Sequence, residues 1–268
     1  MNHSLPTLGF IGTGAITTAM VTGFCERAAS TPYPIVVSPR SADNAAKLAA
    51  AYPDRVTVAD SMQQVVDQAD WVIVATLPDV GEEIYRSLTF RPTHKVINVL
   101  FDKTVGQIRS WLNCEVAALL HMIPLTFNAF TDGPIVQCPP NPEAAEIFGH
   151  IGKVISVEKR YHAAVFAAIT ACVTPISALF DALIDWAQSE GVPAPQATDY
   201  VTNFFASVCQ EATRQDRDGI HTMATVSTPG GINLQNLELI RAQDGFDIWV
   251  RSMREVFARV VENIPKDS

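Results

Sequence analysis

The sequence predicts an α/β protein: an N-terminal doubly wound parallel sheet over residues 1–155, then an all-α part over residues 156–268. Three observations predict it. Short β-rich runs alternate with helical stretches through the first half, the pattern of parallel strands joined by crossover helices. The first of those runs stops at a glycine turn that opens directly into a helix. From Val157 onward the strand pattern disappears and only helical stretches remain.

Residues 8–11 form a short apolar run, and residues 15–27 read as the first helix. Residues 35–37 make the next strand and the alanine-rich residues 44–52 the next helix. Residues 55–58 are a third strand, 63–68 a helix and 71–75 a strongly apolar fourth strand. Residues 96–100 and 116–120 continue the series. In the second part, residues 161–190, 195–214 and 246–262 read as helices. Gly191 to Pro193 separates the first two, because glycine ends a helix readily and proline starts the next.

Charge and composition exclude several classes. With 28 acidic residues against 19 basic ones the net charge is -9, which repels a phosphate backbone and argues against nucleic-acid binding. Hydrophobic residues at 48% describe a chain with a buried core, not a disordered one. Five scattered cysteines, an odd number with no CxxC pair, point to reduced thiols and a cytoplasmic location. The first seven residues lack the basic and apolar regions of a signal peptide. Residues 163–180 carry no charge and approach the ~18 residues of a membrane span. They are rich in alanine, threonine and serine, contain Pro175 and run into Asp181 and Asp185, so a buried helix at a domain or subunit core is expected, with no membrane. His121, His150, His162 and His221 lie far apart, and no metal site is expected.

The turn after the first strand reads Gly12-Thr13-Gly14-Ala15-Ile16-Thr17, a G-x-G-x-x-T variant of the dinucleotide fingerprint. The first glycine permits the tight turn and the second lets a pyrophosphate approach the backbone at a helix N-terminus. Its place inside a βαβ unit makes the first domain Rossmann-like. Gly12, Thr13, Gly14, Ala15 and Ile16 are the expected pyrophosphate residues. An NAD-preferring site carries an acid at the end of the second strand. Here Ser38, Pro39, Arg40 and Ser41 stand there, with no acid before Asp43. Arginine flanked by hydroxyls pairs with a 2′-phosphate, so Ser38, Arg40 and Ser41 predict NADP(H). Ala75, Thr76, Leu77 and Pro78 follow the fourth strand and are expected to border the cofactor, with Asn98, Phe101 and Asp102 in the same layer. In the second part, residues 227–231 read Ser-Thr-Pro-Gly-Gly before a helix start at Ile232 and Asn233. Exposed N–H groups there suit a substrate carboxylate; an ordinary helix–helix turn uses the same residues.

The order of these features resembles pyrroline-5-carboxylate reductase. The resemblance rests on residues 8–14, on Met122-Ile-Pro-Leu-Thr126, on Leu179-Phe-Asp-Ala-Leu183 and on the Ser227-Thr-Pro-Gly-Gly231 turn. It implies a Rossmann domain with a helical dimerisation domain. It also implies NADPH-dependent reduction of 1-pyrroline-5-carboxylate to proline, between the cofactor and the neighbouring subunit's helices. The carboxylate of this imine would meet Gly230, Gly231, Ile232 and Asn233, and Asn233 or Thr126 would orient the imine nitrogen. The chain departs from the family at Leu125 and Phe127, at Ile169 to Val173, and at Asn233, where the family has threonine. Another ketimine or keto acid as substrate, or cofactor binding without catalysis, are the alternatives. The similar β-hydroxyacid dehydrogenases use a lysine early in the long helix, and residues 161–190 contain none. The apolar character of that helix, together with the resemblance, predicts a homodimer.

Overall fold

The computed structural model describes residues 5–100, 102–226, 228–262 and 264. Phe101 and Ser227, both singled out above, lie outside the described residues. The chain forms two compact units, Met1–Ala167 with Val260–Ser268, and Ala168–Arg259.

The first unit is built on an eight-stranded sheet ordered β3-β2-β1-β4-β5-β6-β7-β8. Its strands are β1 (Leu8–Ile11), β2 (Ile35–Val37), β3 (Val56–Val58), β4 (Trp71–Val74), β5 (Lys95–Asn98), β6 (Ala118–Ile123), β7 (Pro134–Cys138) and β8 (Lys153–Ser156). The helices between them are α1 (Ala15–Glu26), α2 (Ala42–Ala51), α3 (Met62–Gln68), α4 (Gly81–Ser87), α5 (Val105–Trp111) and α6 (Pro142–Gly149). All pairings are parallel except β6 with β7. Both faces of the sheet are covered, which explains the unbroken apolar runs. Phe10, Val37, Ile73 and Ile97 enter one core, and Ile11, Val36, Val72 and Val96 enter the other. The strand order reverses beside β1, which places a ligand crevice beyond the carboxyl ends of the strands there.

Three expectations are corrected. The strand expected at 116–120 is Ala118–Ile123, so it also takes in Met122 and Ile123. It is not the last strand: β7 and β8 follow. β7 reverses direction after the short helical turn Thr126–Ala129, a step that no local periodicity announces. The helix expected over 161–190 is two helices, α7 (Arg160–Thr170) and α8 (Val173–Ser189). Pro175 accounts for the break, since it offers no N–H to the carbonyl of Ala171, four residues back, and its ring crowds that carbonyl.

In the second unit α8 is followed by α9 (Ala194–Ala212), α10 (Arg217–Thr225), α11 (Ile232–Ala242) and α12 (Asp247–Val260). α8 packs on α9 with the rings of Phe180 and Phe205 4.6 Å apart. None of the residues of α8 is fully buried, and Ile176, Leu179 and Trp186 are exposed. The stretch Arg160–Ser189 is long and apolar enough to cross a membrane by length and composition only, and its most apolar 18-residue window has a mean hydropathy of 2.0.

Candidate dinucleotide and substrate site

The glycine turn joins β1 to α1 and is stitched to the end of β2. Gly12 has φ +92°, in the left-handed region, and a β-carbon there would lie 2.5 Å from the carbonyl oxygen of Ala75. Its N–H donates to Ser38 Oγ at 2.9 Å. Thr13 Oγ1 donates to the Ser38 carbonyl at 2.8 Å, and Asn44 Nδ2 donates to the Thr13 carbonyl at 2.9 Å. Thr17 stands where the usual fingerprint has a third glycine. It is fully buried, and its hydroxyl donates to the Gly12 carbonyl at 2.6 Å, so the extra polar atom is satisfied within the turn.

Gly14 has a different reason to be glycine. It caps α1 with φ -83° and ψ -170°, a conformation open to any residue, and a β-carbon there would meet nothing within 4 Å. No side chain caps this helix. Free N–H groups, a positive dipole end and empty space meet at one point, a cradle that fits a pyrophosphate. Ala15 is exposed and Ile16 half-buried beside it.

Ser38 is completely buried, with its hydroxyl committed to Gly12. Arg40 and Ser41 are exposed, and Ser41, at φ 63°, opens α2. A shallow cavity of about 360 Å³ lies there, lined by Ser41, Ala42, Asp43 and Asn44. Ala75 and Thr76 are half-buried against the glycine turn, while Leu77 and Pro78 are exposed.

A buried polar row continues at the carboxyl ends of β5 and β6. Asn98 Nδ2 donates to the Leu100 carbonyl at 2.9 Å, and Asn98 Oδ1 accepts from the Leu100 N–H at 3.3 Å and from the Tyr85 hydroxyl at 3.2 Å. The amide orientation is thereby set, and Nδ2 also faces His121 Nδ1 at 3.1 Å. His121 Nδ1 is then the acceptor, and the ring proton sits on Nε2. Burial, with the Arg160 guanidinium adding to it, holds His121 well below its ordinary pKa, so it stays neutral. Burial likewise pushes the Tyr85 phenol well up, leaving it a donor. Tyr85 and Arg160 were not read as site residues. Arg160 follows Glu158 and Lys159 in what looks like a solvated turn, and no sequence signal distinguishes it.

Thr126 is exposed at the start of the turn after β6 in the first unit, and Asn233 is exposed in the first turn of α11 in the second. Residues 228–231 form a type II turn. The Gly231 N–H donates to the Thr228 carbonyl at 2.9 Å, Pro229 is second, and Gly230 is third at φ 72°. Gly231 caps α11 without a side-chain partner, so the N–H groups of its first turn, from Ile232 on, are available to an anion. Among the described residues no group of His, Cys, Asp and Glu side chains is arranged to hold a metal.

Residues 7–101 match the family described as NADP oxidoreductase, coenzyme F420-dependent. ComE operon protein 4 of Bacillus subtilis (strain 168) is 24% identical over 191 residues, covering 68% of this chain and 69% of that protein. The structure is similar to a pyrroline-5-carboxylate reductase from Coxiella burnetii (TM-score 0.80, 20% identity, 97% of this chain and 98% of that one). It is also similar to the NADP-bound pyrroline carboxylate reductase of Plasmodium falciparum (TM-score 0.78, 15% identity, 95% and 97%). Over nearly its whole length the chain therefore has the pyrroline-5-carboxylate reductase fold, and its first hundred residues match an NADP oxidoreductase family.

Proposed function

We propose that the protein is an NADPH-dependent imine reductase acting on 1-pyrroline-5-carboxylate. The observation that supports this reading is the open turn at Gly14 in a sheet of this fold, where no side chain caps α1 and a β-carbon would meet nothing within 4 Å, which leaves room for a pyrophosphate. When bound, the dinucleotide supplies the hydride. The backbone from Gly12 to Ile16 holds its pyrophosphate. Arg40 and Ser41 hold the 2′-phosphate, and Ser38 acts by fixing the turn from below. The Gly231 N–H is taken up by the Thr228 carbonyl, so the substrate carboxylate is received by the Gly230 N–H and by the free N–H groups of α11 from Ile232 on, and Asn233 or Thr126 orients the imine nitrogen through a hydrogen bond. The thiols and the acidic surface suit a cytoplasmic enzyme.

A spectrophotometric screen of NADPH oxidation tests this reading. Turnover with 1-pyrroline-5-carboxylate is expected. Turnover only with another imine or a keto acid would retain the class and discard the substrate. Tight NADP(H) binding without turnover on any of them would leave a binding protein. Cofactor choice has a narrower test, Arg40→Asp. Losing a charge-assisted contact, and placing an anion beside the phosphate, weakens NADPH by about tenfold or more relative to NADH. Equal effects on both cofactors would place Arg40 outside the phosphate site.

The assembly follows from α8. Its exposed Ile176, Leu179 and Trp186, and an apolar cleft of about 560 Å³ lined by Leu183, Val201 and Phe204 among others, need a cover in water. A second copy of the chain supplies it, in a homodimer whose partner completes the active site. Light scattering at low micromolar concentration should give twice 29.1 kDa. An active species at the mass of one chain, or a species recovered only with detergent, would overturn the dimer.

A further inference from the structure

Beneath the loops that leave β4 and β5 lies a polar interlock with no part in the reaction as proposed above. Tyr85 of α4, Asn98 at the end of β5 and its register partner His121 on β6 are all buried. The Asn98 amide uses its full hydrogen-bonding capacity. Its Nδ2 donates to the Leu100 carbonyl at 2.9 Å and faces His121 Nδ1 at 3.1 Å. Its Oδ1 accepts from the Tyr85 hydroxyl at 3.2 Å and from the Leu100 N–H at 3.3 Å. Stability alone does not call for this arrangement, because replacing a set of buried polar partners by apolar groups of the same shape is close to neutral. What the interlock adds is direction. One side chain grips both backbone groups of Leu100, and Tyr85 ties that grip to α4. Leu100 also packs on Gly81, where a β-carbon would collide with its Cδ2. Gly81 opens α4 directly after residues 75–80, and Ala75, at the other end of that segment, lies against Gly12 of the glycine turn. The segment is thereby held by the glycine turn at one end and by Leu100 at the other.

We propose that Asn98 and Tyr85 are positioning residues for the nicotinamide half of bound NADP(H), acting through Leu100 and the 75–80 segment. The inference rests on the dinucleotide site proposed above. A dinucleotide lies across the carboxyl ends of the strands, with its pyrophosphate at the turn after β1. Arg40 and Ser41, after β2, take the adenosine end, so the other half runs over β4 and β5, the next strands in the sheet. The 75–80 segment and the turn at Leu100 are the backbone that leaves those two strands. Hydride transfer depends on where this backbone holds the ring, since a misplacement of about 1 Å costs about a hundredfold in rate. Asn98 and Tyr85 act on the ring only through that backbone, being buried beneath it.

Calorimetric titration of the full chain with NADPH, and with 2′-phospho-ADP-ribose, which lacks the nicotinamide ring, tests it without any turnover. The natural chain is expected to bind NADPH about tenfold more tightly. Asn98→Leu, close in volume, should leave the affinity for 2′-phospho-ADP-ribose within about twofold, because the pyrophosphate turn is a separate site. It should remove most of the advantage of NADPH. Tyr85→Phe, which deletes one hydrogen bond and keeps the ring, should cut that advantage by about threefold. General damage to the first unit would weaken both ligands alike, so the difference between them reports the nicotinamide side. With an imine substrate, kcat should fall about tenfold or more in Asn98→Leu while the KM of the imine changes little. Thermal melting shows whether the variants fold, and if Asn98→Leu does not, Tyr85→Phe decides. A natural chain that binds neither ligand would overturn the dinucleotide reading and this inference with it. A natural chain that binds both equally, a folded variant that keeps the full advantage of NADPH or loses both ligands alike, or an unchanged kcat in Asn98→Leu would overturn the inference alone.

Discussion

Gly14→Val is expected to leave the fold intact and to remove dinucleotide binding. The backbone at Gly14 has φ -83° and ψ -170°, which valine adopts without strain, and a β-carbon there meets no protein atom within 4 Å. Nothing in the chain itself therefore requires glycine at this position. The side chain would instead project into the space above the free N–H groups of α1, where a pyrophosphate must approach the backbone. The melting temperature should stay within a degree or two of the natural protein, as for a surface change worth about 0.5 kcal/mol or less. Affinity for NADPH, read by fluorescence titration, should fall by two orders of magnitude, equivalent to about 2.8 kcal/mol. Unchanged affinity would show that the turn does not hold the dinucleotide.

Gly12→Val should do the opposite, damaging the fold first. Gly12 occupies the left-handed region at φ +92°, and its β-carbon would lie 2.5 Å from the Ala75 carbonyl oxygen and 3.0 Å from Thr76 Cγ2. Strain and overpacking of this kind each cost about 1–3 kcal/mol. The turn cannot move alone, because the Gly12 N–H is bonded to Ser38 and its carbonyl to Thr17. Chemical denaturation should show a loss of about 3 kcal/mol, with the midpoint shifted and the slope unchanged. A variant as stable as the natural protein would mean that the turn relaxes, and that the left-handed conformation is not required there.

The two glycines show what was legible in the sequence. They belong to one motif, yet the folded chain requires glycine at Gly12 and leaves the space at Gly14 open. That distinction needs the position of Ala75, brought beside the turn by the pairing of β1 with β4. Ser38 is similar. Its place after β2 marked it for the 2′-phosphate, but complete burial turns its hydroxyl to Gly12, leaving Arg40 and Ser41 as the exposed groups. The long apolar stretch is legible in composition, whereas composition does not show its break at Ala171–Cys172, which follows from Pro175.

The sequence by itself determined the βαβ opening, the glycine turn and the change to helices in the second part. These are local matters: hydrogen bonds between near neighbours, apolar runs and the conformational freedom of glycine are written in consecutive residues. Only the tertiary structure decided the antiparallel return of β7 and the gathering of Tyr85, Asn98, His121 and Arg160 at one end of the sheet. Strand pairing sets which distant residues become neighbours, and burial then sets their charge and the worth of each hydrogen bond. Neither quantity exists in a short stretch of chain, so an arginine that reads as a solvated turn residue is, in the folded protein, a buried cation beside a cavity.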